Sequence, residues 1–362
     1  MSPGASPKRP LDSLISVDDF EQAASEDLNP KTWAFISSAA TDLYTKRRNK
    51  SAYSEITLRP RILRNVAHLD LSTEMLGGKL RLPIFCSPAA MATLVHPEGE
   101  KDIGRACKAS GMAQCVSTSA AYPLKDIVAA INQHEAKTAH NTPVYFQLYV
   151  DKNRKRSEEL LQQVQKCGAT AIFLTVDAPV AGKREADERI KADVNVSSPL
   201  SGAKASNDAK GGSLGRTMAG FIDPSVTWED IQWIRSCAPE LRIVLKGVQT
   251  CEDAVLAAQA GVDGIVLSNH GGRSLDTSPA TILLLLEMRK NCPEVFHQLD
   301  VLVDGGITRG TDIFKALCLG AKAVGVGRGA LYGLNYGYEG VVKFFDSMDP
   351  AANPAVSFRA GR

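Results

Sequence analysis

The eight cysteines of this 362-residue chain form no CxxC pair. Cys86, Cys107, Cys115, Cys167, Cys237, Cys251, Cys292 and Cys318 are scattered, several of them inside strand-like or helix-like apolar runs. Buried thiols are therefore expected, not a disulfide framework or a zinc site, and no metal is expected. No apolar run approaches the roughly 20 residues that a spanning helix needs. The stretch from Met1 to Pro10 is polar and lacks the apolar core of a secretory signal. The chain also lacks an excess of either charge: 42 basic residues face 40 acidic ones, a formal +2. That balance gives no reason to expect nucleic acid or an anionic membrane as a partner. The final residues, Ala360-Gly361-Arg362, are not an SKL-type address. A cytoplasmic protein acting on a small molecule is the expectation that survives.

Eight short apolar runs bounded by turn signals follow one another: 82–86, 113–117, 144–150, 171–177, 242–248, 264–270, 300–306 and 323–327. Helix-like amphipathic stretches such as 157–167, 250–260 and 311–319 lie between them. Eight alternations of strand and helix predict an α/β protein with a (β/α)8 TIM barrel. The barrel is expected over about residues 80–335, inside a domain running from 14 to 346. Before it lies a helical region expected around Pro30 to Lys46. Residues 1–13 read as a disordered tail, and 347–362, with Pro350 and Pro354, as a tail without apolar periodicity. The gap between the fourth and fifth runs is about twice the usual spacing. Its Ser-, Gly- and Lys-rich part predicts a mobile loop at about 190–218 over the catalytic face.

In such a barrel the residues at the carboxyl ends of the strands converge on one face. Those ends carry Ser87-Pro88-Ala89-Ala90, Ser117-Thr118-Ser119, Gln147 and Tyr149, and Thr175 and Asp177. Lys246 follows on the fifth strand, then Ser268, His270 and Arg273, then Asp304-Gly305-Gly306, then Gly327-Arg328. An imidazole beside a guanidinium suits proton removal from a carboxylic acid. Glycines and Arg328 after the last two strands suit a phosphate group held by backbone N–H groups. Ser117, Gln147 and Thr175 are neutral hydrogen-bonding groups suited to a heteroaromatic ring edge. Lys246, after Ile243-Val244-Leu245, is expected to be buried and to need an anionic partner.

From about Ile15 to Gly340 the chain resembles the FMN-dependent 2-hydroxy-acid oxidase and dehydrogenase family, which includes glycolate oxidase and the flavin domain of flavocytochrome b2. The resemblance is carried by Phe146-Gln147-Leu148-Tyr149-Val150, Leu174-Thr175-Val176-Asp177-Ala178-Pro179, Lys246-Gly247-Val248 and Ser268 to Arg273 with Leu275-Asp276. Val303-Asp304-Gly305-Gly306 and Arg309-Gly310-Thr311-Asp312 add to it. It implies FMN as cofactor, a homotetramer, and His270 as the base, with Asp177 stabilising the imidazolium. It implies that Arg273 and Arg184 hold the substrate carboxylate and that Tyr149 hydrogen-bonds a substrate oxygen. Lys246 would lie beside the flavin N1 and O2. Ala89, Ala90, Ser117, Gln147, Thr175, Ser268, Asp304, Gly305, Gly306, Gly327 and Arg328 would make the other FMN contacts. His68, His96, His134, His140 and His297 sit away from strand ends and read as structural or solvent-exposed.

Four departures from that family are visible. Phe35 stands where a tyrosine is usual, and Ser119 where a tryptophan or leucine fills the pocket wall. Thr308 replaces an arginine that contacts phosphate, and the closing helix after Gly340 gives way to the atypical tail, which predicts poor cover for Phe344 and Phe345. Ser119 and Phe35 are therefore counted with the substrate-binding positions. Three readings follow: an oxidase or dehydrogenase of L-2-hydroxy acids; an FMN oxidase of a larger or dihydro-heteroaromatic substrate in a specialised biosynthetic pathway; or a non-catalytic flavin-binding protein. No haem-binding segment is evident in the chain, which makes oxygen the default oxidant.

Overall fold

A computed structural model describes residues 7–63, 65, 70–135, 142–191, 197–204, 207 and 212–349. Eight parallel strands close into a barrel: β1 (Ile84–Cys86), β2 (Ala113–Ser117), β3 (Val144–Leu148), β4 (Ala171–Thr175), β5 (Arg242–Val248), β6 (Gly264–Leu267), β7 (Asp300–Asp304) and β8 (Ala323–Val326). Closure comes from β8 pairing with β1, Val324 opposite Ile84 and Val326 opposite Cys86. These are the eight apolar runs of the sequence, trimmed at their ends. Strands buried on both faces read as short continuous apolar runs, which is why they were legible.

Side chains alternate along each strand, so two cores form. Outward residues pack beneath the helices. Inward residues (Phe85, Cys115, Tyr145, Phe173, Val244, Val266 and Leu302) fill the barrel. An antiparallel hairpin, Thr73–Met75 with Gly78–Leu80, closes the bottom. It inserts Met75, Leu76 and Leu80 into the inner core, and the Tyr145 hydroxyl donates to the Met75 carbonyl at 3.3 Å. The hairpin fills the amino end of the barrel, and ligand sites in such barrels lie at the carboxyl end.

Several expectations need correction. The helical region expected at 30–46 is two helices, Pro30–Ser37 and Tyr44–Glu55, parted by a turn in which Thr41 and Leu43 adopt positive φ. Asp276 reaches across to the second of these helices and accepts from the N–H groups of Asp42, Tyr44 and Thr45, which are otherwise without acceptors at the helix start. Residues 7–13 are docked, not a free tail: the Lys8 ammonium donates to the Asn335 carbonyl at 2.8 Å, and Leu11–Ser13 form a 3-10 turn. A closing helix is present at Gly337–Met348, and it buries Val341, Phe344, Phe345 and Met348. Their i, i+3, i+4, i+7 spacing forms one apolar stripe, so Phe344 and Phe345 are covered, contrary to the expectation drawn from the downstream prolines. Residues 350–362 lie outside the described residues, as do His68 and His140. The loop expected at 190–218 is described only in part. There, Ser197 bridges Lys204, Leu214–Met218 is helical, and the Ser198 hydroxyl donates to Ala120 O at 2.9 Å, which seats this part on the open end of the barrel. Among the described residues no helix is long and apolar enough to cross a membrane.

Candidate active site

The strand period places the polar groups. Two residues beyond the inward apolar layer come Ser87, Ser117, Gln147, Thr175, Lys246, Ser268 and Asp304, each pointing into the same end of the barrel. All of them except Ser268 line one cavity there, together with Tyr149, Arg184, His270, Arg273 and Arg328. Ser268 lies beneath it, accepting from the Lys246 ammonium at 3.1 Å and from the His270 N–H at 3.1 Å.

Lys246 is buried between two carboxylates, 3.8 Å from Asp177 Oδ2 and 3.8 Å from Asp304 Oδ2. Burial opposes its charge, but Asp177 and Asp304 outweigh that and hold its pKa above the ordinary lysine value. Gly247 makes the arrangement possible. It has φ +113° within an irregularity of β5, and a Cβ there would lie 2.5 Å from that of Asp177.

His270, also at positive φ, presents Nδ1 to Asp177 Oδ1 at 2.8 Å. That contact fixes the tautomer with Nδ1–H donating, so the lone pair lies on Nε2, 3.4 Å from the Tyr149 hydroxyl. Burial lowers the pKa of His270; Asp177 raises it, but Lys246 and Arg184 push it down again, and the result lies below the ordinary imidazole value. The ring is neutral at neutral pH, the form a base requires. Asp177 is fully buried, which favours protonation, yet Lys246 and His270 hold its pKa below the usual carboxylate value. Tyr149 is pushed up to about 12, chiefly by burial and then by Asp177, so it stays a donor.

Three guanidinium groups, of Arg184, Arg273 and Arg328, line the same cavity. Arg273 donates to Phe35 O at 2.8 Å and Ile36 O at 3.2 Å, and its charge lies 5.3 Å from the centre of the Phe35 ring. Phe35 thus supports the arginine through its ring and carbonyl, where a tyrosine would also offer a hydroxyl. Burial and then the neighbouring Arg184 and Arg328 push the Arg273 pKa down, and burial does the same to Arg184. Arg184 Nε and Arg328 Nη1 are shielded from solvent with no acceptor. Clustered cations with unmet donors make a site for an anion.

A profile of the FMN-dependent dehydrogenases matches residues 24–351. The chain belongs to that family. It is 42% identical over 345 residues to an L-lactate dehydrogenase (cytochrome) of Saccharomyces cerevisiae, covering 94% of this chain and 57% of the yeast protein. It therefore spans little more than half the length of that relative. A peroxisomal (S)-2-hydroxy-acid oxidase of Oryza sativa subsp. japonica is 41% identical, over 88% of this chain and 85% of its own. The solved structure of mandelate oxidase with (S)-4-hydroxymandelic acid superposes with a TM-score of 0.84 at 31% identity, over 93% of this chain and 92% of that one.

The residues fit the family's cofactor. Gln147 Nε2, Thr175 Oγ1, Asp304 Oδ1 and Arg328 Nη1 are all buried without a partner, and all four residues line the cavity. The other side of Gln147 is fixed, Oε1 accepting from the Ser117 hydroxyl at 3.1 Å and the Thr118 N–H at 3.2 Å. That leaves its amide donors for a flavin ring edge. At the far end Gly305 and Gly306 have φ of +96° and +80°, and a Cβ on Gly306 would fall 2.1 Å from Asn49 O. This close glycine turn, with Gly327 and Arg328 beside it, suits the FMN phosphate. Thr308 lines the same cavity and donates through its hydroxyl to Asp312 at 3.3 Å.

The structure brings together every residue expected at the site: Ala89, Ala90, Ser119, Phe35 and Arg184 line the cavity, and Asp177 and Ser268 stand directly behind it. Further residues line the cavity that the sequence did not single out individually. Lys46 and Lys50 come from the helix Tyr44–Glu55, Gly215 and Met218 from the segment after β4, and Tyr332 from the helix following β8. No spacing in the chain marks them, because they reach the site only through tertiary packing.

Proposed function

We propose that this chain oxidises an L-2-hydroxy acid, the (S) form, to the corresponding 2-oxo acid. The observation that carries the reading is an Asp177–His270 pair, 2.8 Å apart with Asp177 fully buried, whose imidazole lines the same cavity as Arg184 and Arg273. Arg273 and Arg184 bind the substrate carboxylate. Tyr149 donates to a substrate oxygen. His270 Nε2 takes the proton, and Asp177 holds the resulting imidazolium through Nδ1–H. FMN, when bound, would accept the two electrons and the second proton that leave the substrate. Lys246 would offer a fixed positive charge to that cofactor's ring, stabilising negative charge added on reduction.

The substrate we favour is larger than glycolate or lactate. Ser119 is buried and lines the cavity, where its side chain is smaller than the tryptophan or leucine usual at that position. Mandelate oxidase, with an aromatic 2-hydroxy acid in its structure, is a neighbour in fold. The proposal includes a homotetramer, on family resemblance, and a cytoplasmic location; sedimentation and cell fractionation test these. Anaerobic bleaching of the yellow holoenzyme by a panel of 2-hydroxy acids tests the activity. A yellow protein that none of them bleaches would instead favour the non-catalytic flavin-binding reading.

A further inference from the structure

We propose that the buried ion pair Lys31–Asp187 is a positioning device that presents Arg184 to the substrate carboxylate. The proposal rests on the reading of Arg184 given above and assigns a task to two residues outside the cavity lining.

Lys31 lies in the first turn of the helix Pro30–Ser37, and its side chain is 6% exposed. Its ammonium donates to the Asp187 carbonyl and to Asp187 Oδ1, both at 2.5 Å, and to the Gly212 carbonyl. Its three N–H bonds are all used. The Asp187 side chain is fully buried, and Oδ2 accepts from the Gly215 N–H at 3.1 Å and the Ser213 hydroxyl at 3.4 Å. One charge pair thus joins three segments: the amino-terminal helix, the helix Glu185–Arg189, and the residues that lead into Leu214–Met218.

Arg184 sits where these segments meet. It caps the helix that carries Asp187, and a Cβ on Gly215 would fall 2.5 Å from its Cζ, so the guanidinium lies against that backbone. Its Nε has no acceptor. Packing, and not a direct carboxylate contact, therefore sets its aim. The far end of the helix bearing Lys31 supplies the Phe35 and Ile36 carbonyls that hold Arg273. The pair consequently ties the supports of both arginines to each other. A buried pair seldom adds stability over apolar side chains of the same size, whereas its directional bonds fix geometry.

The test uses FMN-loaded enzyme and benzoylformate as the probe, with binding read from the flavin absorbance. Lys31→Met should weaken benzoylformate binding by about tenfold and raise KM more than it lowers kcat, with FMN content unchanged. In an Arg184→Met background the same change should cost less than about twofold, because the group being positioned is gone. Asp187→Asn should show the same pattern to a smaller extent, since both carbonyl bonds of Lys31 survive. Should Lys31→Met fail to fold, Asp187→Asn and the uncharged pair Lys31→Met/Asp187→Leu carry the comparison. Unchanged affinity in these variants, or losses that simply add to that of Arg184→Met, would overturn the clamp. Unchanged affinity in Arg184→Met alone would instead show that Arg184 does not bind the carboxylate, and the clamp would fall with that assignment.

Discussion

Replacing Asp177 by asparagine keeps an acceptor for His270 Nδ1–H and removes the charge. In the resting enzyme the two side chains are 2.8 Å apart, and Asp177 is fully buried. With charge centres about 4 Å apart and an effective dielectric of about 20, the attraction between aspartate and imidazolium is about 4 kcal/mol. If proton transfer is half complete at the transition state, about 2 kcal/mol of it is felt, or roughly 30-fold in rate. The asparagine oxygen should preserve the tautomer. The loss should therefore appear in flavin reduction, measured by anaerobic stopped flow, with little change in FMN affinity. A variant that reduces its flavin at the normal rate would refute the electrostatic role. One that loses FMN yet turns over normally when saturated with it would make Asp177 a cofactor residue.

Other outcomes follow from the same geometry. Burial and Lys246 both lower the His270 pKa, so kcat/KM should fall only below the ordinary imidazole range. Lys246→Met removes a cation that opposes protonation and should move that acid limb to higher pH, while Asp177→Asn should move it lower; a pH–rate profile reads both signs. Ser119→Trp should reverse a preference for 2-hydroxy acids of six or more carbons over glycolate, since each methylene buried by the open wall is worth up to about 0.8 kcal/mol; unchanged kcat/KM ratios would show that this wall does not meet the substrate. Asp276 has its pKa lowered to about 2: burial raises it, and the N–H groups of Thr45, Thr277 and Tyr44 with the Thr41 hydroxyl outweigh that. Its contribution to stability is full above the ordinary aspartate pKa and is lost as pH falls toward 2. Asp276→Asn should cost about 1–2 kcal/mol at neutral pH, visible as a Tm drop of a few degrees that disappears in strong acid.

The barrel and most of its site were legible because both follow from period. Doubly buried parallel strands are short apolar runs, and the inward period of two carries each from Phe85, Tyr145 or Val244 to Ser87, Gln147 or Lys246. The hairpin at 73–80 escaped because three-residue strands carry no periodicity to count. The helix Val17–Asp27 left a fainter sign: Ser16 accepts from the Asp19 N–H at 3.3 Å, and Asp19 returns a bond to the Ile15 N–H, a capping pattern that only its setting makes specific. The stripe of Val341, Phe344, Phe345 and Met348 is present in the sequence, and Pro350 and Pro354 lie beyond the helix end and do not interrupt it. What could not be read were the partners that meet only through tertiary packing. Lys31 meets Asp187 across 156 residues, and nothing local in either segment announces the partner.

Anaerobic stopped-flow reduction of FMN-loaded wild type and His270→Gln by the same 2-hydroxy acid tests the central claim most directly. The wild type should bleach. The variant should bind equal FMN and benzoylformate within a few-fold, yet reduce at least about 10²-fold more slowly, as expected for loss of a general base. Reduction of the variant at the wild-type rate would contradict the account.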